Sequence, residues 1–229
     1  MIRKWFFLRQ KWILATFFLS MFAFFFFEQP WNWIGLFTGV GWLYLHRRLY
    51  ITSTEGLKND GELFLSPIDG EIVKIGTFTN PEDQQDYIEI RINTSYYHCW
   101  GLYLPYDSEM AYLKERAGNR FPRSEFATLS QAEIEKMSLT DVVLKSPSGP
   151  STHMRFLRCV NGNSPHIWMK SGDRGRGAAC FGYYPFGGCL IVFVPAKSDV
   201  LVVINEKIKA GESVLAVLRP HQEEISNVR

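Results

Sequence analysis

The residues best suited to chemistry lie in one short run, Phe181-Gly182-Tyr183-Tyr184-Pro185-Phe186-Gly187-Gly188-Cys189, which passes straight into five apolar residues and Pro195. Leu190 to Val194 has the length and β-branched content of a buried strand, stopped by proline. Two consecutive glycines just before a strand mark a backbone that needs positive φ or a close approach by another group. A hydroxyl or thiol that follows glycine on such a turn can attack the peptide carbonyl before it. The resulting ester or thioester can eliminate to leave a pyruvoyl group, a covalent electron sink built from the chain itself. The same residues also describe a tight glycine turn in which Cys189 is a small buried hydrophobe.

Two further residues could serve that chemistry. His98 stands in Ser95-Tyr96-Tyr97-His98-Cys99-Trp100, just after a segment ending Arg91-Ile92-Asn93. Histidine exchanges a proton near neutral pH and is the obvious base for a thiol or hydroxyl nucleophile. Asp69 lies in Ser66-Pro67-Ile68-Asp69-Gly70, where proline presets φ at one corner of a turn and Asp-Gly supports positive φ at the next. An aspartate at a turn can also orient an imidazole or stabilise its charge. Both have plain structural readings as well, a turn former and a ring satisfied among aromatics. His153 and His166 lie in or beside expected strands and are assigned no catalytic role, and His46 and His221 look peripheral.

The elements that must position these residues are short β runs separated by turn residues. Strands are expected at Leu63–Leu65, Glu71–Ile75, Tyr87–Asn93, Trp100–Tyr103, Val142–Lys145, Met154–Val160, Ile167–Lys170, Cys189–Val194, Val200–Ile204 and Val214–Leu218. Only Leu129 to Met137 reads as a helix, with Ser130 as its cap. Lys207-Ile208-Lys209-Ala210-Gly211-Glu212 reads as a strand entering a hairpin turn. The fold class is therefore mainly β (α+β), an antiparallel β domain with a small helical insert.

At 229 residues the chain suits one domain plus an appendage, and a formal charge of +2 without a basic helix gives no case for nucleic acid. Cys99, Cys159, Cys180 and Cys189 have neither Cys-x-x-Cys pairing nor His at ligand spacing, so no metal site is expected. Reduced thiols in a cytosolic domain fit best.

The appendage is N-terminal. Basic residues Arg3, Lys4, Arg9 and Lys11 precede an apolar run from Trp12 to Phe27, and Glu28-Gln29-Pro30 separates it from a second run, Trp31 to Leu45, before His46-Arg47-Arg48. Each run is shorter than the ~20 residues of a spanning helix, which snorkelling ends and bilayer thinning can offset. Positive charge at both outer ends favours an apolar helical hairpin with both termini in the cytoplasm. Asn32 and three glycines in the second run leave an interfacial or re-entrant hairpin open. The chain thus divides into a membrane-anchoring hairpin at 1–48, a polar linker at 49–62, a β domain at 63–218 and a polar tail at 219–229.

Taken together, these pieces resemble the phosphatidylserine decarboxylase family, in particular its short bacterial and archaeal-type members. The resemblance rests on an apolar segment ahead of a β domain that opens with Ser66-Pro67-Ile68-Asp69-Gly70. Tyr96-Tyr97-His98 and Pro105 follow, then Gly118-Asn119-Arg120-Phe121, Gly172-Asp173, Phe181-Gly182-Tyr183-Tyr184-Pro185-Phe186-Gly187-Gly188 and the Lys-Ala-Gly-Glu turn. The motifs keep the family's order over nearly the whole chain.

The resemblance implies a self-cleaving carboxy-lyase on the bacterial-type inner (cytoplasmic) membrane, with its soluble domain facing the cytoplasm. Family members cut between Gly and Ser, and the Ser becomes a self-derived pyruvoyl cofactor. That carbonyl forms a Schiff base with the amine of phosphatidylserine, a membrane aminophospholipid, and phosphatidylethanolamine is the product. By similarity Asp69 is the orienting carboxylate and His98 the base, and homo-oligomers are compatible with the pattern.

The self-cleavage segment, Phe186-Gly187-Gly188-Cys189, departs from the family's: its serine falls on Gly188, and Cys189 comes one position late. The aspartate of the family's Asp-x-His is Tyr96, and Gly101 stands where longer members carry a second His. A pyruvoyl group is therefore only possible from Cys189. The alternative is a catalytically inactive member, a pseudoenzyme acting as a lipid-surface or partner-binding module.

Overall fold

The apolar run after Cys189 is the central strand of a large sheet, and every side chain from Gly188 to Val194 is buried. The structure, a computed structural model, describes residues 63–80, 84–95, 98, 100–146, 151–160 and 162–218, together with Phe22, Trp33, Leu36, Phe37, Gly39 and Val40. These last six positions are helical; the rest of the hairpin expected over 1–48, the linker at 49–62 and the tail at 219–229 lie outside the described residues. Among the described residues no helix is long and apolar enough to cross a membrane. The chain forms two compact units, Met1–Tyr50 and Ile51–Arg229.

In chain order the strands of the second unit begin with β1 (Leu63–Leu65), β2 (Gly70–Thr79), β3 (Asp86–Thr94), β4 (Gly101–Tyr103) and β5 (Ser108–Arg116). A one-turn helix α1 (Gln131–Ile134) precedes β6 (Leu139–Lys145), β7 (Thr152–Leu157), β8 (His166–Ile167), β9 (Arg174–Gly175) and β10 (Cys180–Tyr183). The last strands are β11 (Gly188–Pro195), β12 (Asp199–Val200), β13 (Lys207–Ile208) and β14 (Val214–Val217). Eight of them form one antiparallel sheet in the order β13-β2-β3-β11-β7-β6-β5-β9. The others form two three-stranded sheets, β1-β14-β12 and β4-β10-β8.

Alternation along β11 explains why it reads as uninterrupted apolar sequence. Leu190, Val192 and Val194 enter one core with Ile90, Ile92, Met154 and Phe156, closed by Phe64, Leu102, Phe181 and Leu215 from the small sheets. Cys189, Ile191 and Phe193 enter a second core with Leu139 and Leu157, closed by Phe121, Phe126, Leu129 and Ile134 from the insert. A strand packed on both faces has no polar side to show, and each such side chain contributes about 1.5–3 kcal/mol by leaving water. Pro195 pairs with Tyr87 at the end of the ladder, where a missing N–H costs least.

The expected helix over Leu129 to Met137 is cut to one turn. Ser130 caps it as expected, in a reciprocal capping box with Glu133. Its continuation tightens, with Lys136 bonding back to Glu133 and Met137 to Ile134, because Met137 is drawn into a bridge with Asn119. The hairpin expected at the Lys-Ala-Gly-Glu turn does not form as a strand pair. β13 pairs with β2 while β14 pairs with β1 and β12, so this turn carries the chain from one sheet to another.

Candidate functional site

One end of the β2–β3–β11 ladder gathers the residues singled out in the sequence. Gly188 pairs with Thr94, and Cys189 with Asn93 on one side and Leu157 on the other. Thr94 donates its hydroxyl to the Asp69 carbonyl at 2.7 Å. His98 lies four residues past Thr94, and its Nδ1 accepts the Ser95 N–H at 3.2 Å. An Nδ1 that accepts leaves the proton of a neutral imidazole on Nε2.

Asp69 acts first as a bolt. The Asp69 Oδ1 accepts the Ala210 N–H at 2.7 Å, so the turn at 66–70 is tied to the turn at 209–213. Backbone bonds from Ser66 N–H to the Ser213 carbonyl and from Gly211 N–H to the Ser66 carbonyl double that tie.

The turn before β11 is strained. Gly187 N–H closes a four-residue turn onto the Tyr184 carbonyl at 3.2 Å. Pro185 suits its first corner, but the second is Phe186 at φ +64°, a conformation that a bulky side chain adopts only under constraint. Three contacts hold it. The Phe186 ring packs on Trp100 at 5.0 Å, the Tyr184 N–H donates to the Trp100 carbonyl, and Arg123 Nη2 donates to the Phe186 carbonyl at 3.2 Å. Gly187 follows at φ +69°, pressed so closely on the Thr94 carbonyl that no Cβ would fit.

Position 188 has no room for a side chain either. A Cβ there would overlap the Tyr184 hydroxyl and the ring carbon bearing it. That hydroxyl donates to the Leu157 carbonyl at 2.6 Å, and burial raises its pKa well above the usual range, with the neighbouring thiols pushing the same way. Serine chemistry is therefore excluded at 188 by space as well as by composition.

The Cys189 thiol is buried on the opposite face, 3.3 Å from the Cys159 sulfur and 4.0 Å from Asn93 Oδ1. Burial pushes it well above its normal pKa, and its hydrogen bond to Cys159 and that neighbour's charge push it further. Cys159 moves the other way, because it accepts the Cys189 S–H and lies beside the Arg123 guanidinium. Among the described residues no cluster could hold a metal ion.

A family model described as phosphatidylserine decarboxylase matches residues 52–216. The chain belongs to the phosphatidylserine decarboxylase family. Relatives named phosphatidylserine decarboxylase proenzyme include one from Syntrophus aciditrophicus, 25% identical over 205 residues that cover 89% of this chain and 92% of the relative. Another from Amoebophilus asiaticus is 26% identical over 172 residues, 75% of this chain and 74% of the relative. A third from Mycolicibacterium gilvum is 32% identical over 114 residues, half of this chain and 47% of the relative. No solved structure is a significant match.

Within this phosphatidylserine decarboxylase fold, sequence reasoning missed Arg123 and Cys159. Nothing in their local sequence marks them. The nearest signal is the family-like Gly118-Asn119-Arg120-Phe121, which opens the insert that carries Arg123 to the strained turn. Tyr96, Tyr97 and Cys99 lie outside the described residues.

Proposed function

We propose that this chain acts in phospholipid metabolism as a membrane-bound carboxy-lyase that converts phosphatidylserine to phosphatidylethanolamine, with Cys189 as precursor of its pyruvoyl group. One observation carries the reading. The strained Phe186-Gly187 turn presents the Gly188–Cys189 bond at the head of β11, beside Thr94, which holds the Asp69 carbonyl and leads to His98. Family membership supplies the reaction class. The basic flanks of the N-terminal apolar runs support an inner-membrane location with the β domain on the cytoplasmic side.

The cofactor must come from this chain's own atoms. Position 188 fails, having neither nucleophile nor space, whereas position 189 supplies a sulfur on the residue next to the scissile carbonyl. The sulfur bonds to the Gly188 carbonyl carbon as the amide C–N bond breaks and its nitrogen takes a proton. Loss of the Cys189 Cα proton then breaks the Cβ–S bond, and the sulfur leaves on Gly188 as a thiocarboxylate. Water completes the sequence by displacing ammonia. Once formed, such a group withdraws electrons from a bound amine's carboxylate-bearing carbon.

Each neighbour has a share in this. His98 exchanges the proton at the scissile nitrogen through Nε2, while the Ser95 bond to Nδ1 fixes its ring. Asp69 is held at the same end of the sheet by Thr94 on its backbone carbonyl, with its side chain on the Ala210 N–H, and its role is to orient this end of the site. Arg123 holds the Phe186 carbonyl and keeps the turn in its strained form.

Intact-mass measurement of the purified protein is the test. Two fragments split before Cys189, the first ending in a thioacid at Gly188 or its hydrolysed acid, and release of carbon dioxide from phosphatidylserine vesicles support this function. A chain that stays whole and releases none refutes it.

The buried Cys189–Cys159 contact favours a second reading, a family member that has lost catalysis and keeps a lipid-surface role. Vesicle binding by a whole, inactive chain would establish it.

A further inference from the structure

We infer that Cys159 and Cys189 form a dithiol that hydrogen peroxide closes to a disulfide, withholding the one thiol able to begin self-cleavage. The second half rests on the function proposed above; the first stands on geometry alone. The two sulfurs are 3.3 Å apart, come from segments 30 residues apart in sequence, and are both buried in the second core. A disulfide requires about 2.05 Å between sulfurs, so closure needs an approach of roughly 1.2 Å, within reach of small χ1 rotations.

The surroundings favour that reaction. Cys159 lies just past β7, held in a bridge with Phe121 and by the Gly162 N–H on its carbonyl at 3.1 Å, so its backbone stays in place and closure falls to the two side chains. The Arg123 guanidinium beside it stabilises a thiolate, the form that reacts with peroxide. Both thiols are buried, Cys159 at 2% and Cys189 at 0% exposure, while Val160, the chain neighbour of Cys159, is 52% exposed, so the oxidant must be as small as hydrogen peroxide to reach them from this surface. Cys180, the remaining described cysteine, bonds instead to the Gly182 carbonyl at 3.2 Å.

The chemistry balances with peroxide as oxidant. The Cys159 thiolate attacks one peroxide oxygen, the O–O bond breaks, and hydroxide leaves with the thiol's proton as water. Sulfenic acid remains on Cys159. The Cys189 thiol then attacks that sulfur, and the S–O bond breaks. Its hydroxyl departs with the Cys189 proton as a second water. Both thiols are oxidised and one peroxide is reduced. Afterwards the Cys189 sulfur is bonded to Cys159 and no thiolate is left to attack the Gly188 carbonyl until a reductant reopens the bond.

The experiment uses the full chain, purified in reductant, freed of it, treated briefly with hydrogen peroxide, alkylated and mapped by mass under non-reducing conditions. The expected result is a linked peptide pair containing Cys159 and Cys189, reversed by dithiothreitol, absent in a folded Cys159→Ser chain and unchanged in Cys180→Ser. Any other linkage, over-oxidation of Cys159 with Cys189 still alkylatable, or an unreactive folded chain overturns the proposal. Where the reduced chain cuts itself, the peroxide is added to freshly made uncut chain instead: a linked, uncut chain supports the proposal, and cutting at the untreated rate overturns it while leaving the proposed function standing. A reduced chain that never cuts removes that function and leaves the cross-link result standing.

Discussion

Tyr184 stands where a side chain on residue 188 would have to go. Its hydroxyl is fixed by the Leu157 carbonyl at 2.6 Å, and its ring is packed edge-on against Phe156 in the first core, so it cannot swing aside. Restoring the family serine by Gly188→Ser therefore overpacks a buried strand end. We expect a loss of about 1–3 kcal/mol in urea unfolding and no self-cleavage by intact mass. Adding Tyr184→Ala opens the space, and cleavage before residue 188 in that double variant alone would show that Tyr184 is the obstacle.

A second prediction concerns the insert. Arg91 is fully buried, pairs with Glu89 at 2.5 Å, and donates to the Phe126 and Leu129 carbonyls at 2.7 and 2.8 Å. Gln131 reaches the other Glu89 oxygen at 2.9 Å. This polar knot fastens the insert, and with it Arg123, to β3. Arg91→Met strands a buried carboxylate and two carbonyls, and should cost about 3–5 kcal/mol. Glu89→Leu with Arg91→Met should cost less than Arg91→Met alone, measured as denaturation midpoints.

The sheet was legible in the sequence where strands are apolar. Leu63–Leu65 is found as expected, and β3 and β11 extend the expected runs by only one or two residues. β5 escaped because Ser108–Arg116 is largely polar, with only Ser108 and Met110 buried, so no alternation rises above the charged residues. The Asp-Gly and Lys-Ala-Gly-Glu segments were legible as turns, but not as connections between sheets, because turn chemistry records local φ and not the partner of the next strand. At the site, the Gly-Gly-Cys run announced a special backbone. The facing of Cys189 toward Cys159 depends on a residue 30 positions away, which no local pattern encodes.

Alkaline pH should unfold this protein early. Burial raises Tyr106, Tyr184 and Cys189 above their unfolded values of 10.0, 10.0 and 9.0. Between the unfolded and folded values the unfolded chain has lost protons that the folded chain keeps, so stability falls as pH rises. Their contribution is complete below about pH 9 and declines above it, by up to about 1.4 kcal/mol per pH unit per group. Cys159, lowered by its bonds to Cys189 and Arg123, adds stability that builds up as pH rises toward the usual thiol value and is constant above it, so it does not slow the alkaline decline. Denaturation midpoints measured across that range should fall steeply above about pH 10, and Tyr106→Phe should flatten the fall. That variant gives up the 2.5 Å bond with Thr152, a cost of about 1 kcal/mol near neutrality.

Asp69 allows its structural and chemical roles to be separated. Its Oδ1 accepts the Ala210 N–H whether or not the side chain is charged, so Asp69→Asn keeps an acceptor in place and should leave stability within about 1 kcal/mol of the parent. Asp69→Ala leaves that N–H without its partner and loosens the tie between the two turns, at about 1–3 kcal/mol. If the carboxylate serves only as a bolt, the asparagine variant will cut and decarboxylate like the parent. If its charge supports the chemistry at the head of β11, both variants will lose activity while only the alanine variant melts early. The second outcome is expected, and the comparison of intact mass, carbon dioxide release and melting temperature across the three chains decides it.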